Sequence, residues 1–181
     1  MTRYRSFRLG PEPEGSRKAW LLFPLLGLFV ATVLLFFVVF RPGAVEGSSM
    51  EPALHAQERF LGTRDYSAPS RGDVVVFDVR DPDDRSVQLV KRVVAIPGDT
   101  VYAEGDAVWV NGERDPTHGV DSGEREPVFG PLTLDGEHVF VAGDNRPLAL
   151  DSRRFGPVPR ASIRSRVIAV FWPPHRVRLV R

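Results

Sequence analysis

The run Val87-Gln88-Leu89-Val90-Lys91-Arg92-Val93-Val94-Ala95-Ile96, closed by Pro97-Gly98-Asp99, decides the fold class. A stretch of β-branched and aliphatic residues that stops at a Pro-Gly turn signal reads as one strand. Successive side chains of a strand point to opposite faces, so Val87, Leu89, Lys91, Val93 and Ala95 share one face. Gln88, Val90, Arg92, Val94 and Ile96 share the other. Lys91 is therefore a cation on a wholly apolar face, whereas Arg92 lies on a mixed face where a permanent charge can reach water.

Similar runs flank it. Val74-Val75-Val76-Phe77 follows Arg71-Gly72-Asp73, Ala107-Val108-Trp109-Val110 enters Asn111-Gly112, His138 to Ala142 meets Gly143-Asp144, and Ile163 to Trp172 stops at Pro173-Pro174. Each pairs a strand composition with a turn signal, and Asn-Gly suits the two positive φ values of a type I′ hairpin. A mainly β domain of antiparallel sheet is expected over residues 41–181. His55 to Arg59 could form a turn. Gly112 to Pro131 is rich in charge, Gly and Pro, lacks strand patterning, and is expected to form loops of a smaller lobe at about residues 103–134.

Trp20 to Phe40 reads WLLFPLLGLFVATVLLFFVVF, without a charge and with Thr32 as its one polar side chain. At 1.5 Å per residue this helix would be about 31 Å long, the thickness of a bilayer's hydrocarbon core. A cleaved export signal typically has a shorter apolar region and a small-x-small end. This run instead ends Val39-Phe40-Arg41-Pro42, so residues 20–40 read as a retained transmembrane helix in the lipid bilayer. Residues 1–19 carry Arg3, Arg5, Arg8, Arg17 and Lys18, a basic tail that the positive-inside rule assigns to the cytoplasm. Residues 41–181 would then be extracytoplasmic.

The formal net charge is +1 and there is no cysteine. No basic field invites nucleic acid, and thiol nucleophiles, disulfides and thiolate zinc sites are excluded. The 24 cationic residues are 22 arginines with only Lys18 and Lys91. A lysine retained in so arginine-biased a chain is a candidate for work that arginine cannot do, namely losing its proton near neutral pH. A solvated lysine, with a pKa of about 10.4, is neutral in about one molecule in 2,500 at pH 7, and an apolar surround lowers that pKa. A serine made nucleophilic by a lysine needs no histidine. Gly47-Ser48-Ser49-Met50-Glu51-Pro52 offers two serines, with Gly47 permitting close backbone approach and Pro52 fixing the chain beyond them. Gly143-Asp144-Asn145-Arg146, followed by Asp151-Ser152-Arg153, suggests a hydrogen-bonded loop that supports a site. Asp151 and Arg153 lie on one side of an extended segment and could pair.

Four boxes carry a resemblance. Ser49-Met50-Glu51-Pro52-Ala53-Leu54 resembles the S-M-x-P-T-L box of type I signal peptidases, and Arg71 to Phe77 resembles their R-G-D-hydrophobic box. Lys91 to Asp99 resembles K-R-V-x-G-x-P-G-D, and Gly143 to Gly156 resembles G-D-N-x-x-x-S-x-D-S-R-x-x-G. The resemblance implies a signal-peptidase-like β fold that removes N-terminal signal peptides from exported preproteins after small-x-small sites, as a monomer and without metal or organic cofactor. It places the nucleophile on Ser49, not Ser48, and the base on Lys91. Gly47, Ser48, Met50 and Pro52 would shape the oxyanion and substrate-positioning region. Arg92, Asp144, Asn145, Asp151, Ser152 and Arg153 would support it.

The chain departs from the boxes at several positions. Ala149 replaces a serine that helps to orient the lysine amine, Ala53 a threonine and Ala95 a glycine. Gly47 stands where some relatives carry a serine hydroxyl for the oxyanion hole, which leaves backbone donors to do that work. Rival readings are a self-cleaving Ser-Lys peptidase, a catalytically silent tethered β domain, and a hydrolase using His55, His118, His138 or His175. The last has no accompanying nucleophile motif.

Overall fold

The computed structural model describes residues 15–64, 68–80, 83–116 and 128–180. Most of the basic tail, and residues 117–127 of the charge-rich stretch, lie outside these. The chain divides after Val38 into two compact units.

Helix α1 spans Gly15–Val39. None of the window Leu22–Val39 is buried, so apolar side chains stand exposed along it, as in a helix built for lipid. The one polar side chain of that window is satisfied internally, Thr32 Oγ1 donating to the Leu28 carbonyl at 2.8 Å. Phe40, expected to end the span, instead begins a strand.

The second unit is built from β1 (Phe40–Ala44), β2 (Arg59–Thr63), β3 (Val74–Arg80), β4 (Ser86–Ala95), β5 (Thr100–Glu104), β6 (Ala107–Val110), β7 (Glu113–Arg114), β8 (Val128–Thr133) and β9 (His138–Ala142). A one-turn helix α2 (Ser152–Phe155) follows, then β10 (Val158–Pro159), β11 (Ile163–Trp172) and β12 (Arg178–Leu179). The larger sheet has the order β1-β2-β11-β3-β4-β9-β10, with β12 on β11, and the smaller is β7-β6-β5-β8. All pairings are antiparallel.

Register sorts the larger sheet into two apolar faces. Val75 opposes Lys91, Phe77 opposes Leu89 and Val79 opposes Val87, whereas Val74 opposes Arg92 and Val76 opposes Val90. Val75, Phe77, Val93, Val139, Val141 and Val158 pack on the first face, where Lys91 lies. Val45, Met50, Leu54, Phe60, Val74 and Val76 pack on the second.

The stretch expected to be loop is partly strand. Glu113 pairs with Val110 across Asn111 and Gly112, whose φ values of 55° and 84° are those of the expected hairpin turn. Val128–Thr133 pairs with β5 across a register shift, where Gly130 has a φ of 82° and its backbone abuts the Val101 carbonyl. That is a bulge which only glycine fits, and it conceals a strand from pattern reading.

Candidate active site

Lys91 is 3% exposed, and its Nζ lies 2.7 Å from Ser49 Oγ and 2.9 Å from the Val90 carbonyl oxygen. Burial pushes the Lys91 pKa down, against the opposing pull of the Asp151 and Asp144 carboxylates. Burial wins for a structural reason: both carboxylates are already committed to arginines. Asp144 receives Arg92 Nε at 2.8 Å and Nη2 at 2.7 Å, and Asp151 receives Arg153 Nε and Nη2, each at 2.9 Å. Among the described residues no carboxylate bonds to Lys91, so little holds its proton on.

Ser49 is half-buried and is placed by its own loop and by the 143–156 loop. Met50 and Leu54, both fully buried, root the segment in the second apolar face. The Asn145 backbone N–H donates to the Ser49 carbonyl at 3.1 Å, and Asn145 Nδ2 donates to the Ser48 carbonyl at 3.2 Å. Gly143 touches the same peptide from below; a Cβ there would lie 2.5 Å from the Ser49 carbonyl oxygen and would collide with Ala149 Cβ. Glycine is required because the Ser49 backbone occupies the space a side chain would take.

The 143–156 loop is itself tied back. The Gly143 N–H donates to Asp151 Oδ2 at 2.9 Å, and the Val141 N–H to Ser152 Oγ at 3.0 Å. Arg153 also reaches Asp106 at 3.1 Å and the Arg146 carbonyl at 2.6 Å, while Arg146 pairs with Asp115. The second and third boxes interlock: Arg71 pairs with Asp99, which also accepts the Ile96 N–H at 2.8 Å, and Arg92 Nη1 donates to the Gly72 carbonyl at 2.6 Å.

Three local expectations change. Arg92 does not reach water; it is 6% exposed and spends its charge on Asp144. Asp151 and Arg153 pair, but not along an extended segment, since Asp151 is the N-cap of α2 and accepts the Arg153 N–H at 3.1 Å. Gly47 has open space where a Cβ would stand, so its φ of 77°, rather than close approach, calls for glycine. Ser48 is half-buried and Pro52 exposed, and neither side chain lies among those that bond Lys91.

A further cluster escaped the sequence reading. Glu58 is buried and accepts the His55 N–H at 3.0 Å, Arg178 Nη1 at 2.9 Å and Nη2 at 2.8 Å, and Arg176 at 3.3 Å. Arg178 also donates to the Ala53 carbonyl. Burial opposes ionisation of Glu58, but the Arg178 and His55 hydrogen bonds outweigh it and lower its pKa from 4.5 to about 2. Residues 176–178 thus clasp the loop that carries Ser49. Nothing local to Arg-Val-Arg announces a partner so distant in sequence.

A cleft of about 470 Å³ opens beside Ser49 and Lys91, between Gly43 to Glu46 on one side and Ser86 to Val90 on the other, with Met50, Phe60 and Val76 in its wall. β4 pairs with β9 only from Arg92 onward, so Ser86–Val90 presents an edge without a strand partner among the described residues.

A serine hydroxyl against a buried lysine amine, on a β domain whose chain also carries a lipid-suited helix, is the layout of a membrane-associated serine protease. Residues 17–172 match the family model described as "Signal peptidase, peptidase S26", and the chain belongs to this type I signal peptidase family. Its activity is the proteolytic removal of signal peptides. A signal peptidase I of Bacillus licheniformis is 32% identical, the match covering 92% of this chain and 97% of that one. Subunit 1 of the mitochondrial inner membrane protease of Schizosaccharomyces pombe is 36% identical over 76% of this chain and 77% of its own. The crystal structure of a signal peptidase I from Enterococcus faecalis V583 is similar at 29% identity, covering 56% of this chain and 98% of that one with a TM-score of 0.44.

Proposed function

We propose that Ser49 and Lys91 form the catalytic dyad of this peptidase, a reading carried by the 2.7 Å Nζ to Oγ separation at a buried amine. Neutral Lys91 accepts the Ser49 hydroxyl proton while an amine hydrogen is donated to the Val90 carbonyl. The alkoxide oxygen attacks the carbonyl after a small residue, backbone donors including the Ser49 N–H stabilise the oxyanion, and Lys91 returns the proton to the leaving amine. An acyl-enzyme results, and water, activated by the same amine, hydrolyses it. Gly47, Ser48, Met50 and Pro52 shape the segment around the attacked carbonyl, and Arg92, Asp144, Asn145, Asp151, Ser152 and Arg153 hold it in register.

The substrate's cleavage segment lies extended between the Gly43–Glu46 and Ser86–Val90 edges, and main-chain pairing positions it. Its first and third side chains before the cut, which the resemblance expects to be small, enter the cleft against Met50, Phe60 and Val76. The protein works as a monomer, with residues 1–19 cytoplasmic, 20–40 in the membrane and 41–181 outside. Protease added to intact cells, or to spheroplasts where an outer envelope intervenes, should digest residues 41–181 and spare the tail; the reverse pattern would refute the orientation.

Lys91→Arg tests the chemistry. It keeps the charge and much of the apolar stem but stays protonated. Preprotein cleavage should vanish while the domain remains folded, and wild-type kcat/KM should rise with pH through an apparent pKa well below about 10. A Lys91→Arg protein that cleaves at near the wild-type rate would defeat the dyad.

A further inference from the structure

On the opposite face of β4 from the floor of the dyad cleft lies a second, larger groove of about 730 Å³, walled by Val79, Val87, Leu89, Leu150, Phe155 and Val158. Val87 and Leu89 line both depressions. The groove belongs to the face that carries Lys91: Val79, Leu89 and Val158 pack with that cluster, and the Phe155 ring lies 6.4 Å from that of Phe77. These apolar walls, which share the lining with Asp78, Arg80 and Arg154, are left uncovered, with Leu150 56% exposed and Val87 38%.

A peptide strand laid on the open edge of β4 continues the sheet, so its side chains must alternate between the two faces. If the first and third residues before the cut enter the dyad cleft, the second and fourth necessarily turn to the other face, onto this groove. We infer that the groove is a second specificity surface for the same substrate, taking large apolar side chains at the second and fourth positions before the cut. This rests on the strand-addition reading of the cleft. It explains why apolar side chains of β4 and of the 148–155 segment stand exposed at one place: each alternate substrate residue covers a part of them, while the intervening small residues are excluded from this face altogether. The site thus reads small side chains on one face of the sheet and large ones on the other.

The test uses the full-length protein and peptides with alanine at the first and third positions before the cut, carrying leucine, alanine or aspartate at the second, together with a matched peptide that has leucine at the third. Wild type should prefer leucine to aspartate in kcat/KM by about tenfold or more, the discrimination typical of an apolar pocket. Leu150→Arg should collapse that ratio or invert it, and leave the alanine-over-leucine preference at the third position as in wild type. A ratio reports on the site rather than on the amount of folded enzyme, so general destabilisation cannot mimic the change. If Leu150→Arg does not fold, Leu150→Asn is read in the same way. A flat wild-type ratio with Ser49-dependent cleavage, or a ratio unchanged in the variant, overturns the groove assignment alone. Cleavage that survives Ser49→Ala overturns the dyad reading and the groove with it.

Discussion

The loop that carries Ser49 and the loop that follows β9 are held by opposite kinds of force. Residues 45–58 are rooted by apolar anchors, Val45, Met50 and Leu54, and by a single buried charge, Glu58. Residues 143–156 bury Asp144, Arg146, Asp151, Ser152 and Arg153, with Ala149 as their one buried hydrophobic side chain. The difference shows how a chain can bury carboxylates near the Lys91 amine without pairing them to it. The carboxylates around Lys91 are locked to arginines that cannot deprotonate, and Ser49 arrives on a segment whose one buried charge, Glu58, is paired with Arg176 and Arg178.

The ionic loop should therefore be the more fragile. Asp151→Ala strips Arg153 of its principal partner in the interior, removes the N-cap of α2 and frees the Gly143 N–H, and breaking a buried pair of this kind costs about 3–5 kcal/mol. A large fall in the urea midpoint is expected, and a fall no greater than that of a surface substitution would contradict the contrast.

Glu58→Gln probes the one buried charge of the apolar loop, and its effect should be smaller, about 2–3 kcal/mol, because Arg176 and Arg178 are partly solvated. Its carboxyl titrates near 2 when folded, against 4.5 when free. The stabilisation is thus complete above pH 4.5 and fades as the pH falls toward 2. Wild type and Glu58→Gln should therefore converge in stability on acidification; parallel curves would show that the carboxylate carries none of it. The third variant has the smallest effect. Ala149→Ser restores the hydroxyl that the resemblance associates with orientation of the amine, and an increase of a few-fold in kcat/KM is expected, on the order of 1 kcal/mol, without a change in melting temperature. A decrease would show that the packing of Ala149 on Gly143 leaves no room for the oxygen.

Legibility in the sequence followed the same division. β3, β4, β6, β9 and β11 were readable because each is a β-branched run bounded on one side by a turn signal. β1 and β2, Phe-Arg-Pro-Gly-Ala and Arg-Phe-Leu-Gly-Thr, were not, since Pro42, Gly43 and Gly62 argue locally against a strand, and the pairing of β1 with β2 and of β2 with β11 overrides them. β8 hid behind Gly130 and Pro131. The short-range pairing of Asp151 with Arg153 could be anticipated, whereas Arg92 with Asp144 and Glu58 with Arg178 join residues far apart in sequence. The period of β4 placed Lys91 on the correct face but misjudged Arg92, because strand alternation says which way a side chain points and not what waits there.

The lysine count has a practical side. Lys91 and Lys18 are the chain's only lysines, and every other cation in the site's ionic framework is an arginine. Small acylating reagents attack neutral amines and leave guanidinium groups alone. Applied to this protein they would ignore the whole arginine lattice and mark Lys91 in proportion to its unprotonated fraction, so the yield of label at that residue, followed by mass spectrometry against pH, would trace the ionisation of the buried amine without a turnover being measured.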